Sequence, residues 1–249
     1  LFTFDRDYVH EFCRVYQKRI SIPFVCNAHV KVFDARIASS LKEAGCRIIK
    51  FGLESGSERV RRKILNRPMT DQDIVAAFRA AHNAELHTSA FVMIGLPDER
   101  RSDLFATVDL LAAVQPGRFR WSIFFPYPGT VAYEMAKEKG LIDFKKMETL
   151  SNFTEESCLD FGEEHNLLID KMAVAFPWFV NQRTDLPSSP IYHEMVSEIE
   201  RMDTKTWEKV RSSIRSTDRE LSAFLTKSNR EHYAIKYNDF MGVRSDWAD

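Results

Sequence analysis

The chain has 249 residues, of which 44% are hydrophobic and 29% are charged, as is ordinary for a globular protein. Its 35 Lys and Arg residues are balanced by 36 Asp and Glu residues, which argues against the strongly basic surface typical of nucleic-acid-binding proteins. No apolar run approaches the ~20 residues that cross a bilayer, and no signal-peptide pattern is present. We therefore expect a cytoplasmic protein without a transmembrane segment or a nucleic-acid partner.

The first elements are a helix and a strand. Residues 5–19 place Val9, Phe12, Cys13 and Tyr16 at the spacing of an amphipathic helix, and "PFVCNAHV" at 23–30 predicts a strand. A second helix follows, with Asp34 as its N-cap. Gly45 is expected to end this helix in the left-handed conformation.

The alternation of strands and helices continues to residue 140. "RIIKFGLE", "TSAFVMIGLP" and "RFRWSIFFPYP" predict strands, and the segments between them predict helices. Thr70 with Asp73 resembles a capping box, Ser102 is expected to cap the next helix, and Thr130 opens a helix that ends at Gly140.

This order predicts an α/β fold whose parallel sheet presents its site at the carboxyl ends of the strands. Beyond residue 143 the pattern becomes helical, as in "LLIDKMAVAFPWFV". The aromatic residues Phe176, Trp178 and Phe179 are interpreted as packing residues. Residues 143–249 are thus predicted to form an α-helical appendage.

Glu54 is the first candidate site residue, because it ends an apolar strand and is followed by the small residues Ser55, Gly56 and Ser57. A carboxylate there can accept hydrogen bonds from a diol or an ammonium group, while the turn lets a ligand approach the backbone. The structural alternative is an ion pair with a nearby arginine such as Arg59.

Two other strand ends could contact a ligand. Gly95 to Pro97 follow the third strand, and Pro126 to Thr130 follow the fourth. Either segment could equally be a rigid turn. The four cysteines form no CxxC pair, the histidines form no metal-binding pattern, and neither GxGxxG, GxxxxGK[ST] nor GxSxG occurs. We predict reduced, buried thiols, no metal ligands in this chain and no assignable catalytic residue.

In order, the segments "LFTFDRDYV", "CNAHV", "LKEAGCRIIKFGLESGSERVRRKILNRPMT", "FVMIGLPDE" and "FPYPGTVAYEMAKEKGLI" resemble the core domain of radical S-adenosylmethionine (SAM) enzymes. The resemblance is to the branch that often carries a cobalamin-binding domain. It covers residues 1–142 and implies a partial (β/α)6 TIM-like barrel, truncated at its N-terminus, with residues 143–249 as a separate helical region.

The resemblance also implies cofactors and site residues. Members bind a [4Fe-4S] cluster through CxxxCxxC and cleave S-adenosylmethionine reductively to a 5′-deoxyadenosyl radical, or couple it to cobalamin-dependent methyl transfer. They use a small-molecule substrate and an electron donor. By resemblance, Glu54 contacts the ribose hydroxyls with Ser55 beside it, and Ile94, Gly95 and Leu96 lie on the adenine side.

This sequence departs from the family pattern at several positions. CxxxCxxC is absent, Asp98 stands where the family often has Gly, and His29 lies near a position where Arg is common. We therefore expect a fragment of a radical SAM enzyme whose cluster ligands, and any cobalamin domain, lie upstream of Leu1, and which is inactive alone. The alternatives are a (β/α)-barrel lyase or isomerase with Glu54 as the base, and a catalytically silent interaction module.

Overall fold

Four parallel strands and an antiparallel pair form one sheet in the computed structural model, which describes residues 2–150, 156–236 and 240–247. The strands are β1 (Phe24–Ala28), β2 (Cys46–Glu54), β3 (His87–Ile94), β4 (Arg118–Ile123), β5 (Tyr233–Ile235) and β6 (Met241–Arg244). Their order across the sheet is β1-β2-β3-β4-β6-β5, with β1 to β4 parallel. The predicted α/β class and parallel sheet are confirmed.

Helices connect the parallel strands and make up most of the region after β4. They are α1 (Arg6–Arg19), α2 (Ala35–Glu43), α3 (Glu58–Lys63), α4 (Asp71–Asn83), α5 (Arg101–Val114), α6 (Val131–Glu138), α7 (Phe144–Thr149), α8 (Glu163–Asn181), α9 (Ser189–Arg201), α10 (Thr204–Val210) and α11 (Ile214–Lys227). No helix of the described residues is long and apolar enough to cross a bilayer.

Side-chain caps begin several of these helices where the sequence predicts them. The Asp34 carboxylate accepts from the Ile37 N–H at 3.0 Å, and Thr70 and Asp73 form the predicted capping box. Gly45 has φ +95, as its expected position after α2 requires. The prediction for Ser102 is wrong, because α5 begins at Arg101, two residues before a helix capped by Ser102 would begin. The Asp103 carboxylate accepts from the Arg100 N–H at 2.9 Å.

The helices that pack on the parallel strands lie on one face of the sheet. Phe51 of β2 is fully buried, with its ring 4.9 Å from that of Phe78 in α4. Trp121 of β4 donates from Nε1 to the Ala173 carbonyl of α8 at 2.9 Å. Because side chains alternate along a strand and paired residues point the same way, these contacts assign α4 and α8 to the same face.

The opposite side of the parallel strands, which we call the open face, is much less covered. Its residues are exposed or half-buried at Val25, Asn27, Lys50, Phe91 and Arg120. Parallel sheets normally have both faces covered. The four parallel strands therefore form an incomplete barrel wall with helices outside and an accessible inner surface.

The region after residue 143 is mostly helical, as predicted, but it also contributes two strands that the sequence analysis missed. Strand β6 pairs antiparallel with β4, and β5 extends the sheet beyond it. The packing interpretation of Phe176 is confirmed, since its ring is buried and stacked on Trp121 with centroids 5.4 Å apart. One hydrophobic core contains residues from both sides of position 142, so the boundary between 1–142 and 143–249 stays a prediction.

Candidate functional site

The carboxyl ends of β2, β3 and β4 lie side by side at one edge of the sheet. These strands end at Glu54, Ile94 and Ile123, and the Phe124 N–H donates to the Ile94 carbonyl at 2.8 Å. The shared position of the three predicted strand-end segments is therefore confirmed. Their roles toward a cofactor remain predictions.

Glu54 combines an unusual backbone conformation with a single ionic partner. Its φ is +64, in the left-handed region that few non-glycine residues adopt, and such conformations concentrate at functional sites. Its Oε1 accepts from Arg67, and this pair replaces the predicted alternative with Arg59. Arg59 instead binds Asp103. Oε2 of Glu54 makes no hydrogen bond to the described residues, and the side chain is 20% exposed.

The carboxylate lies over the open face. A Cβ built at Gly52 would come within 2.7 Å of Glu54 Oε1 and 3.5 Å of Arg67 Nη2, so the missing side chain leaves room for the pair. Burial raises the pKa of Glu54, while the charge and the hydrogen bond of Arg67 oppose the rise. The site therefore presents a partly desolvated carboxylate with one oxygen available as a hydrogen-bond acceptor.

A buried arginine connects the two chain segments that carry this pair. Arg61 is fully buried in α3 and donates to the Ser55 carbonyl at 2.8 Å and to the Met69 carbonyl at 3.0 Å. It also forms an ion pair with Asp71. Since Ser55 follows Glu54 and Met69 lies two residues after Arg67, Arg61 fixes both segments relative to each other. The sequence analysis did not single out Arg61 or Arg67.

Ser55 is enclosed by α5. It is fully buried, and its Oγ lies 3.4 Å from Thr107 Oγ1, which also accepts from the Gly56 N–H at 2.8 Å. The next serine, Ser57, donates from Oγ to Asp103 Oδ1 at 2.5 Å. The structure gives Ser55 a packing role, and direct contact between its hydroxyl and a cofactor stays a prediction.

The turn after β3 is stabilised by Glu99, which the sequence analysis missed. Ile94 and Leu96 have fully buried side chains, and Gly95 has φ +76. Glu99 Oε2 accepts from the Gly95 N–H at 2.7 Å and from the Leu96 N–H at 3.1 Å. Asp98, at the position where the related family often has Gly, has φ +67. A ligand could reach this turn through its backbone, whereas the two apolar side chains point into the core.

The Glu99 carboxyl is buried among groups that only partly satisfy it. Its Oε1 has no hydrogen-bond partner in the described chain. Burial raises the pKa of Glu99 to about 8, against the two amide donors and Arg59, which lower it. This carboxyl is therefore largely protonated at neutral pH, and a glutamate following the "GLP" turn was the only signal of it in the sequence.

The segment after β4 forms an exposed turn and a helix cap. Thr130 Oγ1 accepts from the Tyr133 N–H at 3.2 Å, which confirms the predicted cap of α6. Tyr127 is 55% exposed in this turn. At the end of β1, His29 donates its backbone N–H to Thr3 Oγ1 at 3.2 Å, and burial lowers the pKa of its ring.

The cysteines do not form a metal-cluster site. All four are free and buried, and burial raises the pKa of Cys13, Cys26 and Cys46 to about 11, 12 and 11. Cluster ligation requires thiolates grouped around the metal, which protonated thiols in a hydrophobic core do not supply. Within the described residues, no group of three or more His, Cys, Asp and Glu side chains could hold a metal ion.

Most of the N-terminal half of the chain matches a known sequence family. The family model of the Radical SAM superfamily matches residues 2–111. An uncharacterized methyltransferase of Pyrococcus horikoshii is 30% identical over 152 residues, which are 57% of this chain and 33% of the relative. The chain thus spans about a third of the length of this relative.

Two solved structures show the same fold. The methyltransferase TsrM of Kitasatospora setae, described with tryptophan substrate and an S-adenosylmethionine analogue bound, has a TM-score of 0.51 at 16% identity, covering 89% of this chain and 52% of TsrM. Coproporphyrinogen III oxidase of Escherichia coli has a TM-score of 0.50 at 15% identity, covering 70% of this chain and 37% of the oxidase. At these identities the likeness concerns the fold alone.

Proposed function

Because the Radical SAM family model matches residues 2–111, we propose that this chain supplies the nucleoside-binding edge of a radical SAM enzyme. Glu54 Oε2 accepts hydrogen bonds from the ribose hydroxyls of S-adenosylmethionine, and the Gly95 turn lies beside the adenine. The complete enzyme acts on a small molecule and receives its electron from a donor. S-adenosylmethionine, when bound, supplies the radical or the methyl group.

The observation that carries this proposal is the state of Glu54. Partial burial costs the Glu54 carboxylate hydration free energy, and the left-handed backbone adds conformational strain. An ion pair that served only to stabilise the fold would not require Oε2 to remain accessible. Arg67 neutralises the charge of Glu54 through Oε1. Arg61 holds the backbone next to Glu54 in place by donating to the Ser55 carbonyl. A diol donating to Oε2 completes the hydrogen bonding of the carboxylate.

The residues present do not fit the [4Fe-4S] cluster of the family, since the thiols are buried, protonated and separate from the Glu54 edge. We propose that cluster ligands, and a cobalamin domain if one is used, come from sequence outside these 249 residues. On that basis this chain alone carries out no radical chemistry. It retains a weak nucleoside site that can be measured without the cluster.

The lyase or isomerase alternative has less support. The pKa of Glu54 is raised, as a general base would require, but its Oε1 is already bonded to Arg67. The matching folds are those of radical SAM enzymes.

A nucleoside-binding cycle tests the proposed contact. Adenosine and 2′,3′-dideoxyadenosine are titrated into the 249-residue chain and its Glu54→Gln variant, with binding followed by ligand-observed NMR. We expect the wild-type chain to prefer adenosine by about tenfold, because a carboxylate accepting a hydroxyl contributes about 1.5 kcal/mol or more. Glu54→Gln should remove most of that preference.

The matched control is Glu134→Gln, which changes an exposed carboxylate on α6. It should leave both affinities unchanged. The proposal would be contradicted if the wild-type chain bound the two nucleosides equally well, or if Glu54→Gln kept the preference for adenosine. Either result would show that Glu54 does not accept hydrogen bonds from the ribose hydroxyls.

A further inference from the structure

Three cationic residues occupy neighbouring positions on the open face, and none of them has an acidic partner among the described residues. The register pairs Lys50 of β2 with Ser89 of β3, and Ser89 with Arg118 of β4, so these residues form one row across three strands. Arg120 lies two residues further along β4 and points the same way. In the described chain none of these three cations makes a hydrogen bond or an ion pair.

The spacing lets these cations meet at one point. Adjacent strands are about 4.8 Å apart, so the backbones of Lys50 and Arg118 are about 10 Å apart, with the small, buried Ser89 between them. Arg120 is about 7 Å from Arg118 along the strand. Long side chains flanking a serine at these distances can converge on a single oxyanion above it.

Two acidic residues near this face are already paired. Glu54, the acidic residue on the open face of β2, is neutralised by Arg67. At the other end of the face, Asp246 accepts from Arg244 at 2.7 and 2.9 Å. Positive charge without an acidic partner among the described residues therefore remains on this less covered inner surface.

An apolar residue lies next to the cations, on the side of Glu54. Phe91 of β3 is half-buried and is paired in register with Gly52 on one side and Arg120 on the other. An aromatic ring between the Glu54 pair and Arg120 offers a surface for the flat or apolar body of a ligand. The open face thus carries, side by side, the proposed nucleoside contact at Glu54, the apolar ring of Phe91 and the three cations.

We propose that the open face binds an anionic substrate whose carboxylate or phosphate group lies on Lys50, Arg118 and Arg120 and whose apolar body contacts Phe91. This assignment rests on the proposed function, because it names the substrate class of the same barrel interior. It is separate from the nucleoside contact, since none of these residues bonds to Glu54 or Arg67.

The test uses naphthalene ligands and omits S-adenosylmethionine. Naphthalene-2-carboxylate, 2-naphthyl phosphate and the neutral naphthalene-2-carboxamide are titrated into the 249-residue chain by calorimetry. We expect at least one of the two anions to bind about tenfold more tightly than the carboxamide. The tighter anion identifies which oxyanion the row prefers.

Variants assign the binding to the row. The double variant with Lys50→Gln and Arg118→Gln should weaken anion binding at least about tenfold and leave carboxamide binding unchanged. Replacing Arg118→Gln by Arg118→Lys in that double variant should restore part of the anion affinity, because lysine keeps the positive charge. Arg36→Gln, on an exposed position of α2, is the matched control and should have no effect. Thermal unfolding verifies that each variant is folded.

Equal binding of anions and carboxamide, or an affinity unchanged by the double variant, would overturn the proposal. Displacement of the anion by a 20-nucleotide single-stranded RNA at lower concentration would also overturn it in favour of a nucleic-acid occupant. These measurements do not depend on the result of the adenosine and dideoxyadenosine titrations, because no free nucleoside is present. Anion binding that survives Glu54→Gln separates the two sites.

Discussion

Glu99 shows how one buried carboxyl couples the site to pH. Its folded pKa, about 8, lies above the ordinary value of 4.5. Between these values the folded protein keeps a proton that the unfolded chain releases, so the free energy of unfolding falls as pH rises. The full contribution is present below about pH 4.5 and is lost as pH passes through 8.

Glu99→Gln should therefore flatten this dependence. The amide cannot ionise, and its oxygen can still accept from the Gly95 and Leu96 N–H groups. Urea unfolding at intervals from pH 5 to pH 9 measures the slope, to which one such group contributes up to about 1.4 kcal/mol per pH unit. Glu134→Gln serves as the control, and parallel curves for wild type and Glu99→Gln would contradict the assignment.

At the scale of elements, the turn between β2 and α3 depends on its contact with α5. A Cβ at Gly56 would lie 2.2 Å from the Ala106 carbonyl oxygen and 2.4 Å from Thr107 Cα. Both atoms belong to the backbone of α5, which cannot yield as a flexible side chain would. This close approach of the two backbones fixes the positions of Glu54 and Asp103 relative to each other.

Gly56→Ala should accordingly destabilise the protein by about 3 kcal/mol or more, because α5 must move away from the turn. Gly45→Ala is the control: no atom lies within 4 Å of its Cβ, but φ is +95, so about 1 kcal/mol of backbone strain is expected. Urea denaturation compares the two variants. A Gly56→Ala protein as stable as Gly45→Ala would show that this contact is loose.

At the scale of the whole molecule, the helical region and the sheet share one core. Tyr233 of β5 is fully buried and donates from its hydroxyl to the Pro116 carbonyl at 2.7 Å. Asn181 of α8 binds both the N–H and the carbonyl of Tyr233, at 2.7 and 2.8 Å. The end of the chain thus returns to the sheet beside β4.

Residues 1–142 expressed alone should therefore be incompletely folded. Without α8 and β6, Phe119 and Trp121 lose their covering and the edge of β4 is exposed, which favours association between chains. Dye binding to exposed apolar surface and near-ultraviolet circular dichroism measure this, with the 249-residue chain as the control. A monomeric 1–142 fragment with a cooperative transition would support the predicted boundary at 142.

The sequence alone predicted most of the local structure of residues 1–142 and a resemblance to one enzyme family. The helix caps at Asp34 and Thr130 were predictable because each cap contacts a residue only three positions further along the chain. The resemblance of residues 1–142 to the radical SAM core was recognised from the order of their sequence motifs. The position of Glu54 at a shared strand edge also followed, because parallel strands align their carboxyl ends.

Only the tertiary structure decided which groups interact. Arg67 is the partner of Glu54 because the loop after α3 folds back over Gly52, and the burial that raises the pKa of Glu99 depends on neighbours from several elements. Strands β5 and β6 are too short for a periodic signal, and they form because β4 offers a free edge more than a hundred residues earlier in the chain. Ion pairs, burial and edge pairing depend on distances in space, and local sequence patterns do not contain them.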